Sequence, residues 1–203
     1  AISTRDLNAA YRVATFAGST HYDITSAQKA YDKNMLDFYR EINDTVQYLA
    51  DATRYYDTYY MTIPVDSIKQ VDSIKSRQLS TVPKGDAIPG STNSSATRRS
   101  IIFSASSQIY TNQLSAAAKS FYQFSKDFVH LKKALEWAKR ACEFYDTPDA
   151  MDIYARILFR LGNEEEAIAW EGKAIETGKK RGIHSREREE VLNKMKNRDK
   201  LID

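Results

Sequence analysis

Cysteine, proline, glycine and histidine are all scarce in this chain of 203 residues, which holds 1, 4, 7 and 3 of them. The single cysteine, Cys142, excludes an intramolecular disulfide, a Cys-x-x-Cys redox pair and a multi-cysteine zinc site. So few prolines and glycines leave few of the breaks that turns and sheets need, which favours long helices. His21, His130 and His184 stand far apart, none with a His or carboxylate at the spacing of a zinc helix, and read as surface or cap residues. No apolar run approaches the ~20 residues of a membrane span. No signal peptide is evident, and the first residue is Ala1, which reads as a processed mature chain or a piece of a longer one. A net charge of +3 is too small to imply a nucleic-acid partner. No serine sits in a Gly-x-Ser-x-Gly elbow, no glycine-rich phosphate loop occurs, and Lys84-Gly85-Asp86 reads as a turn. The chain is therefore expected to be no enzyme, with no metal and no cofactor.

What is present is helical. Leu7, Ala10, Tyr11 and Ala14 follow helical spacing behind Ser3 and Asp6. A second helix is predicted over 26–42. A third follows from an Asn43 or Asp44 cap to about Met61, closed by Pro64, which pushes the residue before it away from helical geometry. The unit Val-Asp-Ser-Ile-Lys occurs at 65–69 and again at 71–75, and reads as a chance duplication within one short helix. Residues 81–97 hold half of the prolines and a run of Ser, Thr and Asn, the composition of a flexible loop. They divide an N-terminal helical region, 1–80, from a C-terminal one, 98–203. The latter is expected to contain helices from Arg98 to about Tyr110, Leu114 to Lys126, Leu131 to Phe144, Pro148 to Leu161, Glu164 to Lys180 and Ser185 to about Lys200, with Pro148 in a first turn that tolerates it.

Two of these helices match. Ala134-Leu135-Glu136-Trp137-Ala138-Lys139-Arg140-Ala141 aligns with Ala167-Ile168-Ala169-Trp170-Glu171-Gly172-Lys173-Ala174 at a spacing of 33. Small residues seven apart share a helix face and let a partner helix approach closely, while the tryptophan fills the space between layers. A period of this length marks stacked helical hairpins. The stretch from Pro148 to Lys180 resembles one tetratricopeptide repeat, with Ala155, Ala167 and Ala174 at the small positions and Gly162-Asn163 at the turn. It departs from that pattern at Glu171, where the family places a large apolar residue, and Trp170 is expected to take over that packing. Leu114 to Tyr145 resembles a second, less regular repeat, and the charged helix 185–200 suits a cap. The fold class expected is thus all-α, a helical hairpin array with tetratricopeptide-like repeats at its C-terminal end. Residues 131–182 are also similar to the C-terminal helical region of thioredoxin-fold proteins from Bacteroidetes. That resemblance implies a periplasmic or otherwise extracytoplasmic location and transfers no catalytic residue.

The resemblance implies a scaffold that binds a protein or peptide, accessory to a larger protein. The alternatives are the helical part of a thiol–disulfide oxidoreductase, or a protein that holds a peptide or oligosaccharide in a tyrosine-rich groove. In repeats of this kind the first helices line a concave groove, which would turn Asp149, Asp152, Arg156, Phe159 and Arg160 towards a partner. Arg156 and Arg160, four apart, share a face and could hold a carboxylate. Tyr48, Tyr55, Tyr56, Tyr59 and Tyr60 crowd one helix; Tyr55, Tyr56 and Tyr59 are candidate ligand contacts, against packing between helices. Cys142 reads as a buried inert thiol. Glu164-Glu165-Glu166 suits a helix N-terminus. The interleaved charges of 179–200 suit a solvated face more than a nucleic-acid surface.

Overall fold

The computed structural model describes residues 5–80, 105–199 and 201, and the predicted loop at 81–97 and the Ser3 cap lie outside them. The described residues form nine α-helices and one π-helical turn, with no strand. In chain order these are α1 (Leu7–Ser19), α2 (Ile24–Glu41), α3 (Thr45–Tyr56), the π-turn (Asp57–Met61), α4 (Val65–Ser80), α5 (Ser106–Phe124), α6 (Phe128–Phe144), α7 (Pro148–Arg160), α8 (Glu164–Lys180) and α9 (Arg186–Lys196). The helix predicted from Leu114 is the second half of α5, which begins at Ser106 and runs unbroken through 110–114; Arg98 to Ser104 lie outside the described residues. None of Tyr110-Thr-Asn-Gln-Leu114 breaks a helix, because polar residues there simply face outward or bond to a neighbour.

Short polar side chains start most of these helices by accepting from a first-turn amide. Asp6 accepts from Ala9 N at 3.0 Å, Asp23 from Ser26 N at 2.7 Å and Asp44 from Gln47 N at 3.1 Å. Asp127, Thr147 and Ser185 do the same for α6, α7 and α9. Helix α5 has no cap of its own, since Ala105 precedes it. Asp72, from α4, supplies one: its carboxylate accepts from Ser106 N at 2.6 Å and Ser107 N at 2.8 Å. Burial alone would raise this carboxyl, but those bonds hold it below its usual range.

Consecutive helices pack on one another, α1 on α2, α5 on α6 and α7 on α8, and α9 closes the end against α8. Small side chains make this close contact possible. Ala134, Ala141, Ala155, Ala167 and Ala174 are all fully buried. At Gly178 an added Cβ would stand 2.8 Å from the Ile183 carbonyl oxygen, so only glycine fits there. Gly162 ends α7 with φ +88°, a left-handed conformation that glycine adopts freely.

The tyrosine-rich helix joins the two ends of the chain. Trp137 is wholly buried between Phe121 and Tyr56, with ring centres 4.7 and 5.3 Å away, and its indole N–H donates to Asp57 at 2.9 Å. Arg140 donates to the carbonyls of Met61 and Ile63, each at 3.2 Å. A π-turn adds a residue to the helical repeat and so re-aims the side chains that follow it. Here it lets Tyr60 join Tyr55 and Tyr56 on the buried side. Each of these large side chains contributes roughly 1.5–3 kcal/mol by burial.

Trp170 does not take over the packing at position 171. Glu171 is itself wholly buried, and Trp170 is half-buried with its ring 5.0 Å from that of Tyr154. The helical phase decides this: Glu171 is four residues after Ala167 and three before Ala174, both of which face α7.

Candidate functional site

A groove of about 600 Å³ runs between α5 and α7, with α9 at its edge. Helix α5 presents Asn112, Ser115, Lys119 and Gln123 to it, residues at helical spacing on the side opposite buried Leu114, Ala117 and Phe121. Asn112, Lys119 and Gln123 are exposed. Helix α7 presents Asp149, Asp152, Ile153 and Arg156, and α9 adds Glu187. The two walls differ in charge. The α5 wall carries one ammonium, and the α7–α9 wall carries three carboxylates with their arginines.

Those arginines are engaged. Arg156 Nε donates to both oxygens of Asp152, at 2.9 and 3.0 Å, and its NH2 group reaches Glu187 at 3.2 Å. Arg188 pairs with Asp149. Together they pin α9 across the mouth of α7 and fix the carboxylates that line the groove.

Glu171 lies behind this network. Neither of its oxygens accepts a hydrogen bond. Burial first, and then the neighbouring Asp152 carboxylate, push its carboxyl up to about 8, against the opposing pull of Arg156 and Arg188. It is therefore protonated at neutral pH, with the Asp152 carboxylate as a charged neighbour.

Of the residues predicted to meet a partner, Asp149, Asp152 and Arg156 line the groove. Arg160 does not; it donates to the Tyr122 carbonyl and its guanidinium lies over the Tyr122 ring. Phe159 packs against the core. Tyr55 and Tyr56 are 2% and 5% exposed, stacked on each other and on Tyr59, Tyr60 and Trp137, so they line no open groove. Burial and neighbouring tyrosines raise the pKa of both far above the usual phenol value. Tyr59 is half-buried and donates to Asp32 at 3.2 Å. The sequence reading misses Asn112, Lys119 and Gln123, because it divides α5 at the point where its polar stripe begins; read as one helix, their spacing of 7 and then 4 reveals the stripe.

Cys142 is buried, and burial, then Asp146, push its thiol up to about 12. His130 Nδ1 lies 2.8 Å from Ser125 Oγ beside the α6 cap. Among the described residues no three His, Cys, Asp or Glu side chains are placed to hold a metal ion, and no helix is long and apolar enough to cross a membrane. Compared with family models, curated proteins and solved structures, the chain matches none.

Proposed function

We propose that residues 105–199 form a tetratricopeptide-like helical-repeat module whose α5–α7–α9 groove binds a peptide segment of another protein, without catalysis. The observation that carries this reading is the groove itself. It is large enough for several residues of an extended chain, being within the ~300–1,000 Å³ typical of binding clefts. Its α5 wall offers amides that can bond a peptide backbone, from Asn112 and Gln123, and an ammonium from Lys119. Its other wall is held rigid by the Arg156 and Arg188 ion pairs, which lowers the ordering cost of binding. The accessory role implied by the resemblance to thioredoxin-fold proteins belongs to the same proposal. In it, any redox chemistry comes from another domain or protein, since a thiol as buried as Cys142 is a poor nucleophile.

The test is selection of a random peptide library displayed on phage, panned against the full chain and then against N112A and K119E. Both altered residues are exposed, so folding is expected to survive. Enriched peptides that bind the parent protein and lose at least ~10-fold in affinity to either variant support the groove. Failure to enrich any peptide, or peptides held equally by both variants, would remove it.

A further inference from the structure

A second cavity, of about 220 Å³, lies where α1, α2 and α3 meet. Tyr11 of α1, Tyr31, Asp32 and Tyr39 of α2, and Asp51 and Arg54 of α3 form its walls. Only 11% of the Asp32 side chain is exposed, yet its close partners are neutral: Gln28 Nε2 donates at 2.9 Å and the Tyr59 hydroxyl at 3.2 Å. Asp51 likewise accepts from Gln47 Nε2 at 3.0 Å. The cation that reaches both carboxylates is Arg54, and it reaches them loosely. Its NH2 group stands 3.8 Å from each, outside hydrogen-bond distance, and its side chain is 68% exposed.

Two carboxylates and three phenol rings around a small void form an environment that favours positive charge. The carboxylates supply charge-assisted hydrogen bonds and the rings supply their negative faces. Helix α2 already uses that attraction: its Lys29 ammonium lies 4.4 Å from the centre of the Tyr60 ring in the π-turn. An anion would meet Asp32 and Asp51 with one partly neutralising guanidinium between them. The void is smaller than the ~300–1,000 Å³ of pockets that enclose a whole drug-sized ligand, so it suits one functional group on a short chain.

We propose that the α1–α2–α3 cavity binds an organic cation, an alkylammonium or guanidinium of the size of a lysine or arginine side chain. Arg54 is the internal stand-in at its mouth, displaced when that cation enters. The cation is either a free amine or a basic side chain of a partner, and the two share one chemistry.

The full chain is titrated with agmatine, with N-acetyl-Gly-Lys-Gly-amide, and with the norleucine analogue of that peptide, following the NMR resonances of α1–α3. At least one cation should saturate below ~10 mM while the neutral analogue does not. Agmatine binding alone points to a free amine, and peptide binding of equal or greater strength points to a partner's side chain. D51N should weaken the cation about fivefold or more, and R54A, which removes the internal competitor, should tighten it about twofold to fivefold. Absence of saturation by both cations, or equal binding of the norleucine peptide, would overturn the proposal without reference to any variant. Weaker binding by a folded R54A protein would overturn it too, because Arg54 would then support the site and would not compete with the cation.

Discussion

Replacing Glu171 by glutamine should make the protein more stable, and more so as the pH rises. The carboxyl is wholly buried, its oxygens accept no hydrogen bond, and its pKa is pushed from 4.5 up to about 8. In the unfolded chain it ionises near the ordinary value. Between those two limits the folded state holds a proton that the unfolded state has lost, so stability is full below about pH 4.5 and falls as the pH rises towards about 8. The fall is roughly 1 kcal/mol per pH unit, on the order of 3–5 kcal/mol across the window. Glutamine keeps the shape, has no proton to lose, and its amide donates to Asp152. The parent protein and E171Q should therefore be alike at pH 5 and diverge by several kcal/mol at pH 8. Urea denaturation of both proteins, followed by tryptophan fluorescence at pH 5, 6, 7 and 8, measures this directly. Contributions from the other groups are common to both proteins and cancel in the difference. Parallel pH profiles, or a variant less stable at pH 8, would refute the reasoning and mean that Glu171 is ionised against Arg156.

Two further outcomes follow from groups far from the groove. Asp72→Ala removes the acceptor for two first-turn amides of α5 and should lower stability by about 1–2 kcal/mol, whereas Asp72→Asn, which keeps one acceptor, should cost less; equal urea midpoints for parent and D72A would show that water replaces the cap at no cost. Cys142 should react with a disulfide reagent at pH 8 at least about 100-fold more slowly in the native protein than after unfolding, because burial suppresses its thiolate. A native rate like that of the unfolded chain would show that the packing of α6 on α7 opens readily.

Much of the helical layout is legible in the sequence because its signals are local. Asp44 and Pro148 mark helix starts through short-range capping and a fixed φ, and Gly162 marks a stop through its left-handed conformation. The ladder of alanines at spacings of seven is legible for the same reason. What the sequence conceals depends on partners distant along the chain. Nothing near Asp72 says that it caps a helix 34 residues later. Tyr55 and Tyr56 look like ligand contacts until Trp137 is brought against them, since an amphipathic ring suits a core and a binding surface equally. Trp170 looks like the substitute for Glu171 in the packing only when residue type is weighed above helical phase. Ala167 and Ala174 already put Glu171 on the inner face, where a carboxylate is improbable but, once protonated, tolerable. The groove is half legible: Asp149, Asp152 and Arg156 follow from the sequence, but its other wall requires α5 to be one helix.

The link between Trp137 and Asp57 has a kinetic consequence. Helical arrays usually fold fast because their contacts are short-range, but this hydrogen bond and the pair from Arg140 span 80, 79 and 77 residues. Closing loops of that length is entropically slow to begin and must precede the packing it makes possible. Synthesis also runs in the unfavourable direction. Tyr48, Tyr55, Tyr56 and Tyr60 leave the ribosome long before Phe121 and Trp137 exist to cover them. The N-terminal helices thus emerge with an aromatic face waiting for its other half, and a chaperone that shields that face would hasten native docking of this chain.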